Sequence, residues 1–275
     1  MQVAIDLGIT NIDIAMRQDA SLECLRISTS RQPALEQVIS VLQQIEDPAS
    51  PAEQAAVTGG RYRSLPDHIG QTRLVKIPEV QAIGRGGLQL AGLEQALVVS
   101  AGSGTAMVAA RGDAFTHVTG SAVGGGTLQG LGHLILGTRD ALEIDRLALK
   151  GDANRADLTL IEAVGERVGS LPLDANAVNF GRLARQDIEV SPADRAAALV
   201  RLVGQVIAVI AINAARAEGL PAIVMIGHLV DLPSVRKVLS KVAGYYGAQI
   251  TQVANPGTGT ALGALLQMEA MQSML

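Results

Sequence analysis

Five short segments carry residues of the kind that grip phosphate. Asp6-Leu7-Gly8-Ile9-Thr10 lies between two apolar runs, 3–5 and 12–16. A glycine there lets the backbone approach an oxyanion, the turn's N–H groups donate to it, and the Thr10 hydroxyl adds a donor. Asp6 would hold a hydrated magnesium ion beside the phosphates, because magnesium keeps much of its water and takes carboxylate ligands. A plain hairpin turn favours the same Asp and Gly, so this segment decides nothing alone. Gly102-Ser103-Gly104-Thr105 repeats the arrangement later in the chain, with small residues and two hydroxyls. Two such loops facing each other across a cleft would hold a triphosphate from both sides, and the pair is more specific than either loop.

The third segment, Gly120-Ser121-Ala122-Val123-Gly124-Gly125-Gly126-Thr127, runs straight into a helical pattern. A helix N-terminus offers free N–H groups and partial positive charge. Gly124, Gly125, Gly126 and Thr127 are therefore read as anion-binding residues. A helix start that needs close packing is the competing reading. The fourth is the apolar run 223–226 ending in Gly227-His228; ligands of nucleotide-binding α/β proteins sit at the carboxyl ends of strands. The fifth, Asn255-Pro256-Gly257-Thr258-Gly259, is a polar glycine loop before a small-residue helix and is weak by itself. No Gly-x-x-x-x-Gly-Lys-[Ser/Thr] loop occurs, which disfavours a P-loop kinase.

The elements that must position these loops follow from periodicity. Strands are expected at 3–5, 12–16 and 22–27, a helix at 34–44, a loop at 46–51, strands at 55–57 and 74–77, and a helix at 79–90. The pattern then restarts with strands at 96–99, 105–110 and 115–118 and a helix from the triple glycine to 136. Helices are expected at 140–149, 158–168, 192–218, 235–245 and 259–271, with strands at 223–226 and 249–253. The strand–glycine turn–strand–strand unit thus appears twice. This predicts an α/β fold of two lobes, 1–93 and 94–275, around a cleft.

Composition narrows the class. Hydrophobic residues make up 48% of the 275 and aromatics only 2%, so the core must be built from small aliphatic side chains that permit close backbone packing. The net charge is −4 with no basic block, which argues against nucleic acid as a partner. Cys24 is the sole cysteine, so one chain holds neither a disulfide framework nor a cysteine metal cluster. The start of the chain lacks the basic and apolar stretches of a signal peptide, and a cytoplasmic protein is expected. The most apolar window, 197–217, contains Arg201, Gln205, Asn213 and Arg216 and reads as a buried helix rather than a membrane span.

Taken in order, these segments resemble the actin-like ATPase and sugar kinase superfamily, and within it the type II pantothenate kinases. The most specific stretch is 118–132, Val-Thr-Gly-Ser-Ala-Val-Gly-Gly-Gly-Thr-Leu-Gln-Gly-Leu-Gly. Lys150-Gly151-Asp152-Ala153-Asn154, Asp157-Leu158, Phe180-Gly181 and Gly263-Ala264-Leu265 follow at family-like spacing. The resemblance implies a homodimer that uses ATP and Mg2+ to phosphorylate pantothenate. It also implies that Glu79, opening the helix after Thr58-Gly59-Gly60, is the catalytic base. Three positions depart from the family pattern. Asp13 stands where the family has a lysine, His117 where it has a substrate-contacting arginine, and Ser100 where it has Asp or Asn. His117, with Ser103, is taken as the substrate contact. The departures leave two alternatives open: a kinase for another hydroxylated metabolite, or a nucleotide-dependent switch or activator ATPase.

Overall fold

The computed structural model describes residues 1–19, 21–30, 32–45 and 52–273; the loop expected at 46–51 lies outside the described residues. The chain opens with strands β1 (Gln2–Leu7), β2 (Asn11–Gln18) and β3 (Ser21–Ser28), helix α1 (Ala34–Ile45), β4 (Gln54–Gly59), the two-residue β5 (His68–Ile69), β6 (Thr72–Lys76) and helix α2 (Glu79–Ala91). Strands β7 (Gln95–Ala101), β8 (Thr105–Arg111) and β9 (Ala114–Ser121) follow, then α3 (Gly125–Leu136) and α4 (Ala141–Ala148). Next come β10 (Leu158–Thr159), the short α5 (Leu160–Ala163), β11 (Asn176–Val178) and the long α6 (Pro192–Ala217). The chain closes with β12 (Ile223–Ile226), α7 (Pro233–Tyr245), β13 (Ile250–Gln252) and α8 (Gly259–Gln272).

The two large sheets repeat one topology. The first has the order β3-β2-β1-β4-β6-β5 and the second β13-β12-β7-β8-β9. In each, an antiparallel meander is joined through its first strand to a parallel strand, β1 to β4 and β7 to β12. The duplication expected from the paired glycine turns is thus present in the strand order itself.

Alternation along the strands sorts the core into layers. Val3, Ile5 and Leu7 of β1 pack with Val38, Val41 and Leu42 of α1. The opposite face of the same sheet carries alanines, Ala4, Ala15 and Ala56, which pack with Ala82 of α2 and Ala261, Ala264 and Leu265 of α8. In the second sheet Leu97 and Val99 meet α6, while Ala96 and Val98 meet Ile83 and Leu88 of α2. Helices α2 and α8 therefore lie between the sheets, on faces the sequence has lined with small residues.

Close packing on two sides explains a helix with three internal glycines: Gly84 lies against Phe115, Gly87 against Val98, and Gly86 at the crossing with α8. Each glycine in a helix interior costs about 1 kcal/mol relative to alanine, yet α2 contains Gly84, Gly86 and Gly87. A Cβ on Gly86 would lie 1.9 Å from the carbonyl oxygen of Gly259, and one on Gly263 of α8 would lie 1.9 Å from the carbonyl oxygen of Ala82. The helices cross backbone to backbone, a contact only glycine permits.

One expected helix is replaced. Residues 158–168 form β10 and the four-residue α5, not a single helix. Leu158 and Thr159 pair with Val178 and Asn176 instead, and Gly165 at φ +84° turns the chain away. The apolar window predicted to be buried is α6. It is long and apolar enough to cross a membrane by length and composition, but 61% of that window is buried inside the fold. It packs on β7, α3, α4 and α7.

Gly86→Ala should lower the melting temperature by roughly 4–8 °C, as an overpacked contact costing about 2 kcal/mol would. Gly130→Ala, where nothing lies within 4 Å of the added Cβ, should leave it unchanged or raise it. Scanning calorimetry on both variants checks the pair.

Candidate active site between the lobes

The β1–β2 and β7–β8 hairpins meet across the cleft. Thr10 Oγ1 and Ser103 Oγ lie 2.9 Å apart, although 93 residues separate them. Gly8 makes the first turn tight: a Cβ there would stand 2.6 Å from the carbonyl oxygen of Asn11. Outside the strand ladders and among the described residues, no backbone acceptor claims the N–H groups of Gly8, Ile9 and Thr10, or of Gly102, Ser103 and Gly104. Two hairpin tips with unclaimed donors therefore face one another.

The triple-glycine segment behaves differently from the sequence expectation. The N–H groups of Gly125 and Gly126 donate to the carbonyl oxygens of Gly102 and Ser103, at 2.8 and 2.9 Å, and Gly124 N–H donates to Thr127 Oγ1 at 3.2 Å. Thr105 Oγ1 donates to the carbonyl of Val123 at 2.8 Å. A Cβ on Gly124 would lie 2.6 Å from the Ser103 carbonyl oxygen. In this structure the Gly125 and Gly126 donors seat the second loop, while that of Gly124 closes on Thr127 within its own segment. Gly227 is similar. Its φ is +94°, a Cβ would stand 2.5 Å from the Ala101 carbonyl, and its N–H donates to the Pro256 carbonyl at 2.7 Å.

Carboxylates gather on the floor of the cleft. Asp6 pairs in the β1–β2 ladder with Asp13, and Glu79 is the first residue of α2. Burial, then the charges of Asp13 and Glu79, push the Asp6 pKa up to about 8, with His228 pulling the other way. Gly59, at φ +93°, leaves the room Asp6 needs, since a Cβ there would lie 2.7 Å from Asp6 Oδ1. Thr58, opposite Asp6 on β4, is fully buried and its hydroxyl has no partner. Glu79 opens to solvent at the cleft, yet the surrounding protein removes enough water from its carboxyl to raise the pKa.

Sequence reasoning missed the charge network beside this floor. His228 Nε2 is 2.7 Å from Asp13 Oδ2, and its Nδ1 is 3.0 Å from Asp231 Oδ2. Arg26 of β3 donates to Asp231 Oδ2 at 2.8 Å and lies 3.6 Å from Asp13 Oδ1. Asp13 stands out in the sequence and His228 does not; their pairing, 215 residues apart, carries no local signal. His117, by contrast, is exposed on β9, and Ser100 is a half-buried strand residue of β7.

The remaining family-like motifs converge away from the cleft. Asp157 is completely buried, accepts from Phe180 N–H at 2.7 Å and pairs with Arg201 at 3.2 Å. Burial raises its pKa to about 6 against the pull of these partners. Arg201 also donates to Asn154 Oδ1 at 2.7 Å, and Gly151 sits so close to Ala193 that a Cβ would be 2.0 Å from its carbonyl. These residues tie the 150–181 region to α6.

A family profile described as Fumble matches residues 95–267. The chain belongs to the Fumble family. This Fumble chain is 29% identical over 272 residues to the type II pantothenate kinase of Staphylococcus aureus strain USA300, covering 96% of this chain and 98% of that one. The same figures hold for the protein of strain NCTC 8325 / PS 47. Among solved structures, the activator of 2-hydroxyisocaproyl-CoA dehydratase from Clostridium difficile superposes with a TM-score of 0.67 at 14% identity, covering 100% of this chain and 97% of that one. A ROK hexokinase from Thermus thermophilus does so at 0.59 and 14%, covering 98% and 99%. The expected two-lobed actin-like α/β fold is the fold of these neighbours.

The network makes a prediction for stability. Burial lowers the His228 pKa, but its bonds to Asp13 and Asp231 and the charge of Asp13 outweigh this and raise it from 6.5 to about 9. The protonated ring stabilises the fold fully below pH 6.5, and the contribution is lost as pH rises through 9. Thermal melts from pH 6 to 10 should show the Fumble chain losing up to roughly 3 kcal/mol more than His228→Asn, while both share the loss below pH 8 that the raised Asp6 pKa brings.

Proposed function

We propose that this chain is an ATP-dependent kinase that phosphorylates pantothenate. The observation that carries the reading is the meeting of the two glycine hairpins at Thr10 and Ser103, with Asp6 and Glu79 in electrostatic contact beside them. Membership of the Fumble family and the full-length similarity to type II pantothenate kinases support pantothenate as the acceptor.

In this reading the unclaimed N–H groups of Gly8, Thr10, Gly102, Ser103 and Gly104, with the hydroxyls of Thr10 and Ser103, bind the phosphates of ATP. Gly125, Gly126 and Thr105 also seat the second loop, and with Gly124, Thr127 and Gly227 they border the nucleotide in this reading. Glu79 accepts the proton of the acceptor hydroxyl as its oxygen attacks the γ-phosphorus and the bond to the departing ADP oxygen breaks. The raised Glu79 pKa makes it a stronger base than an ordinary carboxylate. Asp6 and Glu79, close enough to interact electrostatically, are oxygen donors of the kind a magnesium ion takes, and the ion's charge would favour an ionised Asp6. Among the described residues no group of three ligands forms a protein cage, so Asp6 would hold the ion through water. When bound, the ion would neutralise charge on the phosphates.

His117 and Ser103 face the acceptor in this reading. Because His117 carries no guanidinium fork, a different hydroxylated acceptor is the second reading. We further place the boundary between lobes at 93/94, with α8 returning to the first lobe, and infer a cytoplasmic homodimer.

A coupled assay of ADP release with magnesium and ATP, with and without pantothenate, tests the reading. Glu79→Gln should lower kcat at least about 100-fold while ATP affinity by calorimetry stays unchanged. Turnover that needs no pantothenate, or survives the substitution, would refute it.

A further inference from the structure

Asp13 is a carboxylate with only 5% exposure, next to Asp6 in the β1–β2 ladder. A buried charge left alone costs several kcal/mol, and a second carboxylate beside it raises that cost. The hairpin segment 6–13 contains no lysine or arginine, so its compensating charge must come from elsewhere. It comes mainly from the second lobe. His228 follows β12 and reaches Asp13 at 2.7 Å, while its other ring nitrogen is 3.0 Å from Asp231.

A neutral imidazole donates from one nitrogen only. With a carboxylate at each nitrogen, both must carry protons, and the ring is an imidazolium. Arg26 closes the group by bonding Asp231 at 2.8 Å and approaching Asp13 at 3.6 Å. Two anions and two cations thus form a neutral set drawn from β2, β3 and the turn after β12. The loop before α8 is shaped around it. A Cβ on Gly257 would lie 2.2 Å from His228 Nδ1 and 2.7 Å from Arg26 Nη2.

We propose that His228 is a positioning residue for phosphoryl transfer, pairing with Asp13 across the cleft to hold the β1–β2 hairpin in register with the second glycine loop. The hairpin and the turn after β12 belong to different sheets. Within the group, Asp13–His228 is the pair that ties the residue beside Asp6 to the second lobe. Breaking it leaves Asp13 buried against Asp6 with only the more distant, half-exposed Arg26. The hairpin that carries Asp6, Gly8 and Thr10 then loses its fixed place. This inference rests on the kinase reading for its effect on turnover but not for its effect on the hairpin.

The test uses His228→Gln, Asp13→Asn and the double variant on the full chain. Hydrogen exchange of the β1–β2 amides without nucleotide is read first. Both single variants should speed exchange in residues 3–18 by about tenfold or more, with the core of α6 unchanged as proof of folding. In the ADP-release assay each should lower kcat about tenfold with KM for pantothenate within twofold, and the double variant should lose no more than either single one. Asp13→Asn serves as the second arm should His228→Gln fail to fold. Unchanged hairpin exchange in both single variants would overturn the proposal whatever the assay shows. Additive losses in the double variant would also overturn it. Absence of turnover in the wild type would remove the kinase reading, and faster hairpin exchange would still support the pairing.

Discussion

Everything in this structure hangs on two helices crossing without side chains between them. Gly86 of α2 rests on Gly259 of α8, and Gly263 of α8 rests on Ala82 of α2. Because the helices touch through backbone, the two sheets can each lay a face of alanines or small aliphatics on the same pair. A ring at the crossing positions themselves would force the helices apart. Van der Waals contacts this close reward rigid, near-exact spacing and give little to alternatives. The cleft inherits its geometry from that spacing, because Glu79 begins α2 and the 255–258 loop begins α8.

At the cleft the decisive currency is the backbone donor. The triple glycine before α3 looks like an anion cradle, but its N–H groups reach the carbonyls of Gly102 and Ser103. A carbonyl turned toward α3 leaves the opposite side of the loop to present its own amides. The helix start thus orients a neighbouring loop. Small residues in sequence signal closeness of approach, and only the fold says what approaches.

This bears on how much the sequence could reveal. The paired turns at Asp6–Thr10 and Gly102–Thr105 were readable because each is local, and their repetition foretold the matching strand orders. The long apolar α6 was readable from composition. The helix expected at 158–168 was not, because its residues pair with 176–178 and answer to a buried Asp157. Asp13 read as an anomaly, an anion where a cation would serve phosphate. Its meaning depended on His228 and Arg26, whose approach is set by the packing of both lobes. Charge complementarity between distant segments leaves no periodic trace along the chain.

The bond between Thr10 and Ser103 has a further consequence. It is a single hydroxyl–hydroxyl contact at an exposed position, worth on the order of 1 kcal/mol. The two hairpin tips are therefore latched only lightly, and a charged acceptor that bonds either hydroxyl more strongly than its neutral partner does would part them.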